Sequence, residues 1–257
     1  MKLQVIKIGG EVIDDAQMLH RFLEDFSALK NPKILVHGGG KVASNLSKQL
    51  GLTPNFVNGR RITQSADLEV VVMAYAGKLN KSLVSKLQKI GCNAIGISGA
   101  DGDSVRTAKR VQSPVDYGLV GDITKVNGQL INQLIKANLT PVFCAITHDG
   151  NGQLLNTNAD TMAAAIASTM NMFFETELVY CFEKQGVLSD IKQPDSVIQE
   201  ISQKKYTALL KDKQIYEGML PKLENCFKAL KNGVKSVKIG SYKMLTEDTN
   251  NHTKLVL

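Results

Sequence analysis

Residues 3–40 read LQVIKIGGEVIDDAQMLHRFLEDFSALKNPKILVHGGG and contain one local pattern twice. An apolar, β-rich run at residues 3–8 ends at Gly9-Gly10, and apolar residues at helical spacing follow it. A second apolar run at residues 33–36 ends in His-Gly-Gly-Gly at residues 37–40, again before a run with helical spacing. Because a crossover helix must cover an apolar face of the sheet, this order predicts parallel strands with helices on both faces.

The rest of the chain continues the alternation of strands and helices. Helices are predicted at residues 67–87, 130–138, 161–170 and 222–231. Strands are predicted at residues 94–97, 119–126, 140–146, 176–182, 237–239 and 255–257. Asn127-Gly128 is a strong turn signal and is predicted to end the strand 119–126 of a hairpin. We therefore expect an α/β fold, a three-layer α-β-α sandwich with a mostly parallel central sheet, in a single domain over residues 1–257.

Composition and charge limit the classes of function. The chain has 257 residues, of which 43% are hydrophobic and 21% charged, as in a globular protein rather than a disordered or fibrous one. A net charge of +7 suits an anionic ligand or a nucleic acid. Aromatic residues are only 5%, Trp is absent, and no basic run is interleaved with stacking rings. We therefore expect a solvated basic surface with a local anion site, and no nucleic-acid partner.

The cysteines and the N-terminus indicate a cytoplasmic protein. Cys92, Cys144, Cys181 and Cys226 lie far apart, with no CxxC pair and no His at metal-ligand spacing, which predicts reduced, buried thiols and no protein metal site. Met1 leads directly into a strand, and no apolar stretch reaches transmembrane length. Neither a secretion signal nor a membrane partner is expected.

The two glycine loops predict a phosphate site. Glycines after a strand allow backbone N–H groups to face an anion, and the following helix adds its positive end. Neither Gly9-Gly10 nor residues 37–40 match GxxxxGK[ST] or GxGxxG, so P-loop and dinucleotide sites are not indicated. One glycine loop alone is more often structural. Two of them at the carboxyl ends of strands, where α/β sheets bind ligands, favour a phosphate.

Lys7 is the polar residue closest to the first glycine loop. A lysine in an apolar strand is costly to bury unless it is paired or faces a site. It precedes Gly9-Gly10 by two residues, so its amine could reach an anion there. The alternative is an edge lysine that reaches solvent.

Two further segments carry groups that could bind a carboxylate. Arg61, in the run Asn-Gly-Arg-Arg-Ile-Thr at residues 58–63, could present a planar fork, although one of its two arginines could be merely solvated. Residues 156–160 place amides and a carboxylate at a helix start, which also fits simple N-capping. Capping is the stronger interpretation for Asn158 alone, and Asp160 could simply favour the helix dipole.

Two other residues are weak candidates by themselves. Lys222 lies where a turn leads into a helix, and alone it would rank as a surface lysine. His37 has no carboxylate or nucleophile partner identifiable in the sequence, so a structural loop histidine is favoured over a general base.

Taken in chain order, six motifs together resemble the amino acid kinase family, over residues 3 to about 240. They are Ile6–Gly10, His37–Gly40, Asn58-Gly59 with Arg61, Gly102–Ser104, Asn156–Asp160, and Gly218-Met219 with Lys222. The resemblance implies an amino acid kinase-like fold, with an N-lobe to about residue 170 for the amino acid and a C-lobe from about residue 171 for the nucleotide.

The resemblance also implies an activity. Such an enzyme would transfer the γ-phosphoryl group of ATP to the side-chain carboxylate of an N-acyl-L-glutamate, with N-acetyl-L-glutamate as first choice, in arginine biosynthesis. Three alternatives remain. The substrate could be N-succinyl-L-glutamate, or the chain could be a kinase of another small carboxylate in the same family. The chain could also be a non-catalytic sensor of nucleotide or amino acid. Mg²⁺ would enter with ATP, held mainly by phosphate oxygens. A homodimer is expected.

Matched position by position, the resemblance implies a role for each site residue. Lys7 and Lys222 would bracket the transferring phosphoryl group, and Asp160 would hold both ammonium groups. Gly38 and Gly39 would offer N–H donors on the substrate side, where Arg61 and Asn156 would bind the α-carboxylate. The nucleotide-binding set is Lys7, Gly9, Gly10, Lys222 and Glu183. Glu183 lies in Cys181-Phe182-Glu183, where the family commonly has Leu-Thr/Ser-Asp, and His252-Thr253 replaces the usual Gly-Thr.

Overall fold

The structure, a computed structural model, describes residues 1–57, 59–112, 114–190, 192–211, 219–246 and 251–257. Two residues of the sequence motifs, Asn58 and Gly218, lie outside these described residues. In the described ranges, no helix is both long enough and apolar enough to cross a membrane.

Strands and helices alternate along the described chain. The strands are β1 (Lys2–Ile8), β2 (Lys33–His37), β3 (Phe56–Val57), β4 (Arg60–Arg61), β5 (Ala94–Ile97), β6 (Val105–Lys109), β7 (Gly121–Val126), β8 (Thr140–Cys144), β9 (Ile146–His148), β10 (Leu154–Asn156), β11 (Glu175–Phe182), β12 (Glu200–Ser202), β13 (Ser236–Ser241) and β14 (His252–Val256). The α-helices are α1 (Gly10–Asp14), α2 (Ala16–Ala28), α3 (Gly40–Gln49), α4 (Ser65–Val72), α5 (Asn80–Lys89), α6 (Gly128–Lys136), α7 (Ala159–Met170), α8 (Gln203–Lys211) and α9 (Leu220–Lys231). A π-helix at Met73–Leu79 joins α4 to α5.

The first of two compact units contains residues 1–34 and 163–257. Its strands lie in the order β12-β14-β13-β11-β1. Pairing is parallel except between β13 and β14. Asp15 caps α2 by accepting hydrogen bonds from the amides of Gln17 and Met18, and the apolar stripe of that helix is buried. The predicted first strand and first long helix are thus confirmed.

The second compact unit contains residues 35–162. Strands β2, β8 and β5 pair in parallel in that order. A separate sheet has the order β10-β9-β6-β7, and β3 pairs antiparallel with β4. Strand β2 is wholly buried, and His37 is its last residue. Gly40 begins α3. The predicted α/β class with a mostly parallel sheet is confirmed.

Two local predictions need correction, and a third is confirmed. The single strand predicted at 140–146 is interrupted at Ala145, whose carbonyl accepts a hydrogen bond from the amide of Thr157, and β9 joins the other sheet. The predicted hairpin strand that ends at Asn127-Gly128 is confirmed as β7, which pairs antiparallel with β6. Asn127 then caps α6, because its Oδ1 accepts from the Leu130 amide at 3.2 Å. The helix predicted at 67–87 exists as α4, the π-helix and α5 together. Which ligand each predicted lobe binds stays a prediction.

Candidate active site

Lys7 lies on β1 beside the aromatic end of β11. In the parallel register, Lys7 pairs with Tyr180 and Ile8 with Cys181. Burial raises the pKa of the Cys181 thiol, and the positive charge of Lys7 opposes that rise. Lys7 is half-buried.

Lys222 approaches the same strand from α9. Its Nζ lies 5.3 Å from the ring centre of Tyr180 and 5.9 Å from that of Phe182. Alternate residues of a strand point to one face, so the two rings share the face that Lys7 also meets. Aromatic faces attract an ammonium group at such distances. Lys7 and Lys222 therefore both lie at the aromatic end of β11, within the first unit.

The first glycine loop continues this arrangement. The Gly9 amide donates to the Cys181 carbonyl at 2.8 Å, which carries the sheet pairing one residue beyond β1. A Cβ on Gly9 would lie 3.3 Å from that carbonyl oxygen, whereas one on Gly10 would meet no atom within 4 Å. Gly10 begins α1, a helix of one turn. Glu183 follows β11 directly and is exposed, and its predicted contact with the nucleotide stays a prediction.

In the second unit, side chains from α7 and the π-helix flank the second glycine loop. A Cβ on Gly38 would lie 3.7 Å from the Cβ of Ala159, so the loop runs beside the start of α7. Gly39 has a φ of +155°. A Cβ there would overlap Leu79 Cδ1 and lie 2.9 Å from Tyr75 Cδ1. Glycine is required at position 39 on both conformational and steric grounds.

Arg61 is bonded to this loop. It is 6% exposed, and its Nη2 donates to the Gly40 carbonyl at 3.2 Å and to Ser44 Oγ at 2.6 Å. Its guanidinium lies 4.8 Å from the ring centre of Phe56. Its Nη1 is buried, and within the described part of the chain it meets no hydrogen-bond acceptor. Of the two arginines, Arg61 is therefore the enclosed one, and Arg60 is exposed.

Asn156 is connected to the Arg61 segment through Thr63. Asn156 Nδ2 donates to Thr63 Oγ1 at 3.1 Å, and both side chains are buried. Thr63 follows Arg61 by two residues, and its carbonyl accepts from the Leu119 amide at 2.7 Å. The Leu119 carbonyl in turn accepts from the Asn156 amide at 2.9 Å. The structure thus links the two residues predicted to bind a carboxylate, although they are far apart in the chain.

Asp160 lies in the first turn of α7 and is half-buried. Asn158 Oδ1 accepts from the amide of Thr161 at 2.8 Å and from its hydroxyl at 3.2 Å, which confirms the capping interpretation of Asn158. A carboxylate in the first turn is favoured by the positive end of the helix. Lys7 and Lys222 belong to the other unit, so the prediction that Asp160 holds both ammonium groups stays a prediction.

Several residues of these two regions were not singled out from the sequence. They are Thr63, Tyr75, Tyr180 and Phe182. The alternation of Tyr180 and Phe182 in a predicted strand could have placed both rings on one face. Burial raises the pKa of the Tyr75 hydroxyl, and the positive charge of Arg61 opposes the rise. No local pattern marks Tyr75 or Thr63, because only tertiary contacts give them a role.

In the part of the chain that the structure describes, acidic and thiol side chains are not grouped as they are in a metal centre. Across the described ranges, no group of three or more His, Cys, Asp or Glu side chains could hold a metal ion. All four cysteines are buried, and burial raises the pKa of Cys144 to about 12. Its raised pKa makes the Cys144 thiol a poor nucleophile and a poor metal ligand at neutral pH.

Comparison with known proteins gives consistent results. The model of the amino acid kinase family matches residues 2–241. An acetylglutamate kinase from Cytophaga hutchinsonii is 48% identical over 260 residues, covering 99% of this chain and 98% of the relative. An acetylglutamate kinase from Bacteroides thetaiotaomicron is 47% identical over 238 residues, covering 93% of each chain. The crystal structure of smu.665 from Streptococcus mutans UA159 matches with a TM-score of 0.79 at 26% identity, covering 93% of this chain and 94% of that one.

Proposed function

This chain belongs to the amino acid kinase family, and we propose that it transfers the γ-phosphoryl group of ATP to the side-chain carboxylate of N-acetyl-L-glutamate. The observation that carries the proposal is the linkage of Gly40, Arg61, Thr63 and Asn156 in one connected set. In this proposal, the glycine loop would bind the reacting end of the amino acid, and the guanidinium would bind its other carboxylate.

The chemistry requires no strong base. The attacking side-chain carboxylate is already ionised at neutral pH. One of its oxygens forms a bond to the γ-phosphorus, the bond from that phosphorus to the bridging oxygen of ADP breaks, and ADP departs with the electron pair. Catalysis of such a transfer consists of positioning and charge neutralisation. Mg²⁺ bound to ATP would neutralise part of the phosphate charge.

Each site residue has a proposed part in that transfer. Lys7 and Lys222 would neutralise charge on the moving phosphoryl group, supported by their common position at the aromatic end of β11. Gly9 and Gly10 would donate N–H groups to ATP, and Gly38 and Gly39 to the reacting carboxylate. These assignments remain proposals, as do those of Asp160 and Glu183.

Arg61 is proposed to bind the α-carboxylate. Two of its hydrogen bonds keep the guanidinium beside the loop, while buried Nη1 still has donor capacity. A buried donor without an acceptor costs about 1–3 kcal/mol, which a carboxylate oxygen would relieve. Asn156, linked to this segment through Thr63, is proposed to bind the same α-carboxylate.

A coupled assay of ADP release tests the substrate. Wild-type enzyme should turn over with N-acetyl-L-glutamate and not with free glutamate. The names of the relatives favour the acetyl compound over N-succinyl-L-glutamate, which serves as the third substrate in the same assay. No turnover with any of the three would refute the proposed enzyme and leave a ligand-binding protein.

The product would be an acyl phosphate that a following reductive or displacement reaction must consume, since acyl phosphates hydrolyse readily. We place the reaction in arginine biosynthesis, in the cytoplasm, and propose a homodimer. Light scattering of the purified chain tests the last of these proposals.

A further inference from the structure

One short segment, where the π-helix continues into α5, contacts the second glycine loop at two separate points. The segment comprises Tyr75, Leu79 and Asn80, at the end of the π-helix and the start of α5. Tyr75 and Leu79 pack against Gly39. Asn80 reaches the same loop through the His37 ring.

The His37 ring has a defined protonation state. The side chain is fully buried, and burial lowers its pKa to about 4, against the opposing effect of the Gly38 hydrogen bond. The neutral ring carries a single N–H. His37 Nδ1 lies 2.8 Å from the Gly38 carbonyl oxygen, which can only accept. The proton is therefore on Nδ1, and Nε2 is an acceptor.

Asn80 supplies the matching donor. Its Nδ2 lies 3.1 Å from His37 Nε2 and 2.9 Å from the Val142 carbonyl oxygen, so both amide hydrogens are used. If the amide were flipped, Asn80 Oδ1 would face His37 Nε2 and the Val142 carbonyl oxygen, which are both acceptors. The side chain fits because residue 96 on β5 is a glycine, where a Cβ would overlap Asn80 Oδ1. Asn80 thereby joins β2, β8 and the helix into one hydrogen-bonded unit.

The π-helix makes the two contacts possible together. Its i to i+5 hydrogen bonds accommodate one more residue per turn than an α-helix, so residues after it face a different direction from their α-helical register. Here Tyr75 and Leu79 meet the loop, and Asn80 points to the sheet beneath it. Such π-helical turns occur frequently at functional sites.

We propose that His37 and Asn80 are positioning residues for phosphoryl transfer, which set the peptide plane of Gly38 and so aim the amides of the glycine loop. This inference rests on the proposed function. Neither side chain would touch the substrate. The His37 N–H holds the Gly38 carbonyl, and with it the orientation of the peptide N–H that follows. Asn80 keeps the ring in the one tautomer that can do so.

Hydrogen exchange tests the positioning without any turnover. The Ala43 amide donates to the Gly39 carbonyl at 2.9 Å and reports the geometry of the loop. Asn80→Leu, which keeps the number and branching of the side-chain heavy atoms but removes the donor, should accelerate its exchange about tenfold, as expected for a lost buried hydrogen bond. Leu87→Ala, two turns further along α5, is the matched control for stability. If both variants accelerate exchange only in proportion to their global unfolding, the inference is wrong.

A second pair of variants tests the His37 bond. The amide nitrogen of asparagine falls near the position of histidine Nδ1, so His37→Asn keeps a donor for the Gly38 carbonyl, whereas His37→Leu does not. We expect His37→Asn to retain slow Ala43 exchange and His37→Leu to lose it. Equal exchange in the two variants would overturn the role of the Nδ1 proton. Nitrogen-15 NMR of wild-type His37 should show the Nδ1–H tautomer, and an Nε2–H tautomer would contradict the inference directly.

Kinetics then separate this inference from the proposed function. Asn80→Leu should lower kcat with N-acetyl-L-glutamate about 10- to 100-fold, because small displacements of positioning groups have effects of that size. Affinity for a non-hydrolysable ATP analogue should stay within a factor of three, as in Leu87→Ala. A parallel loss of kcat and nucleotide affinity would indicate general damage and refute positioning. If wild-type protein shows no turnover, the proposed function fails, and hydrogen exchange alone decides the inference.

Discussion

Lys222 is the residue whose position the structure defines most usefully for catalysis. Its ammonium group lies over Tyr180 and Phe182 rather than in bulk solvent. The charge on a phosphoryl group spreads most during transfer, so Lys222→Ala should lower kcat about 100- to 1000-fold. Affinity for ATP should change much less. Steady-state kinetics together with direct nucleotide binding would show the difference.

The control for Lys222 lies on the same helix. Lys228 is exposed on α9, and Lys228→Ala removes the same charge from the chain without touching the aromatic rings. It should leave kcat within a factor of two. Equal losses of kcat and nucleotide affinity in Lys222→Ala would assign the residue to binding rather than to transfer.

His37 should make stability depend on pH. Its folded-state pKa, about 4, lies below the ordinary 6.5, so between these values the unfolded chain binds the proton more readily. The contribution of the neutral His37 ring to the free energy of unfolding is present above pH 6.5 and is lost as the pH falls toward 4. The free energy of unfolding of the wild type should therefore fall over this window more steeply than that of His37→Asn. Urea titrations at several pH values measure both slopes, and identical slopes would contradict the buried neutral ring.

Single residues could be predicted from the sequence where their neighbours in the chain restrict them. Lys7 was identified from its place before a glycine pair, and Arg61 from a turn followed by a possible guanidinium fork. Tyr180 was not, because an aromatic residue in a strand is usually core, and only the position of Lys222 gives its ring another role. Thr63 likewise has its role only through a hydrogen bond from Asn156.

At the scale of elements, Gly39 joins the second loop to the π-helix. An alanine Cβ there would overlap Leu79 and require an unfavourable backbone conformation. Gly39→Ala should therefore lower the free energy of unfolding by about 1–3 kcal/mol. Chemical denaturation measures this loss.

The neighbouring glycine provides the contrast. Gly40 is exposed at the start of α3, and a Cβ there would meet no atom within 4 Å. Gly40→Ala should leave stability within about 0.5 kcal/mol of the wild type. Similar losses in both variants would mean that the loop is sensitive to any side chain, and that packing on the π-helix is not the cause.

Elements were predictable where periodicity is local. Strands β1, β2, β5 and β11 have apolar runs with clear ends, and α2 has an apolar stripe behind an N-cap. The π-helix was not predictable, because residues 73–79 continue an ordinary helical pattern. Its geometry follows from packing on the glycine loop and from the Asn80 hydrogen bonds. Strand β10 was missed because three residues carry too little periodicity.

At the scale of the whole molecule, long-range pairing decides what the sequence could not. Strand β1 pairs with β11, so Lys2 lies beside Glu175. The first unit is therefore formed by two segments that are distant in the chain. The order of strands and helices is a local property, and it was largely predicted. The choice of strand partners depends on burial summed over the sheet, so no single segment reveals it.

Ligand-induced stabilisation tests the substrate class on the intact protein, independently of turnover. A ligand that binds only the folded state stabilises it by about 2.7 kcal/mol at one hundred times its Kd. For a chain of this length that corresponds to about 5–10 °C in Tm. N-acetyl-L-glutamate should raise the Tm of the wild type by this amount, and free glutamate should not. Arg61→Ala should abolish the shift, because the guanidinium beside Gly40 is the proposed carboxylate partner. Arg21→Ala, which removes an exposed arginine of α2, should retain the full shift. A shift that persists in Arg61→Ala would place the carboxylate elsewhere, and an equal shift with free glutamate would show that the acyl group is not recognised.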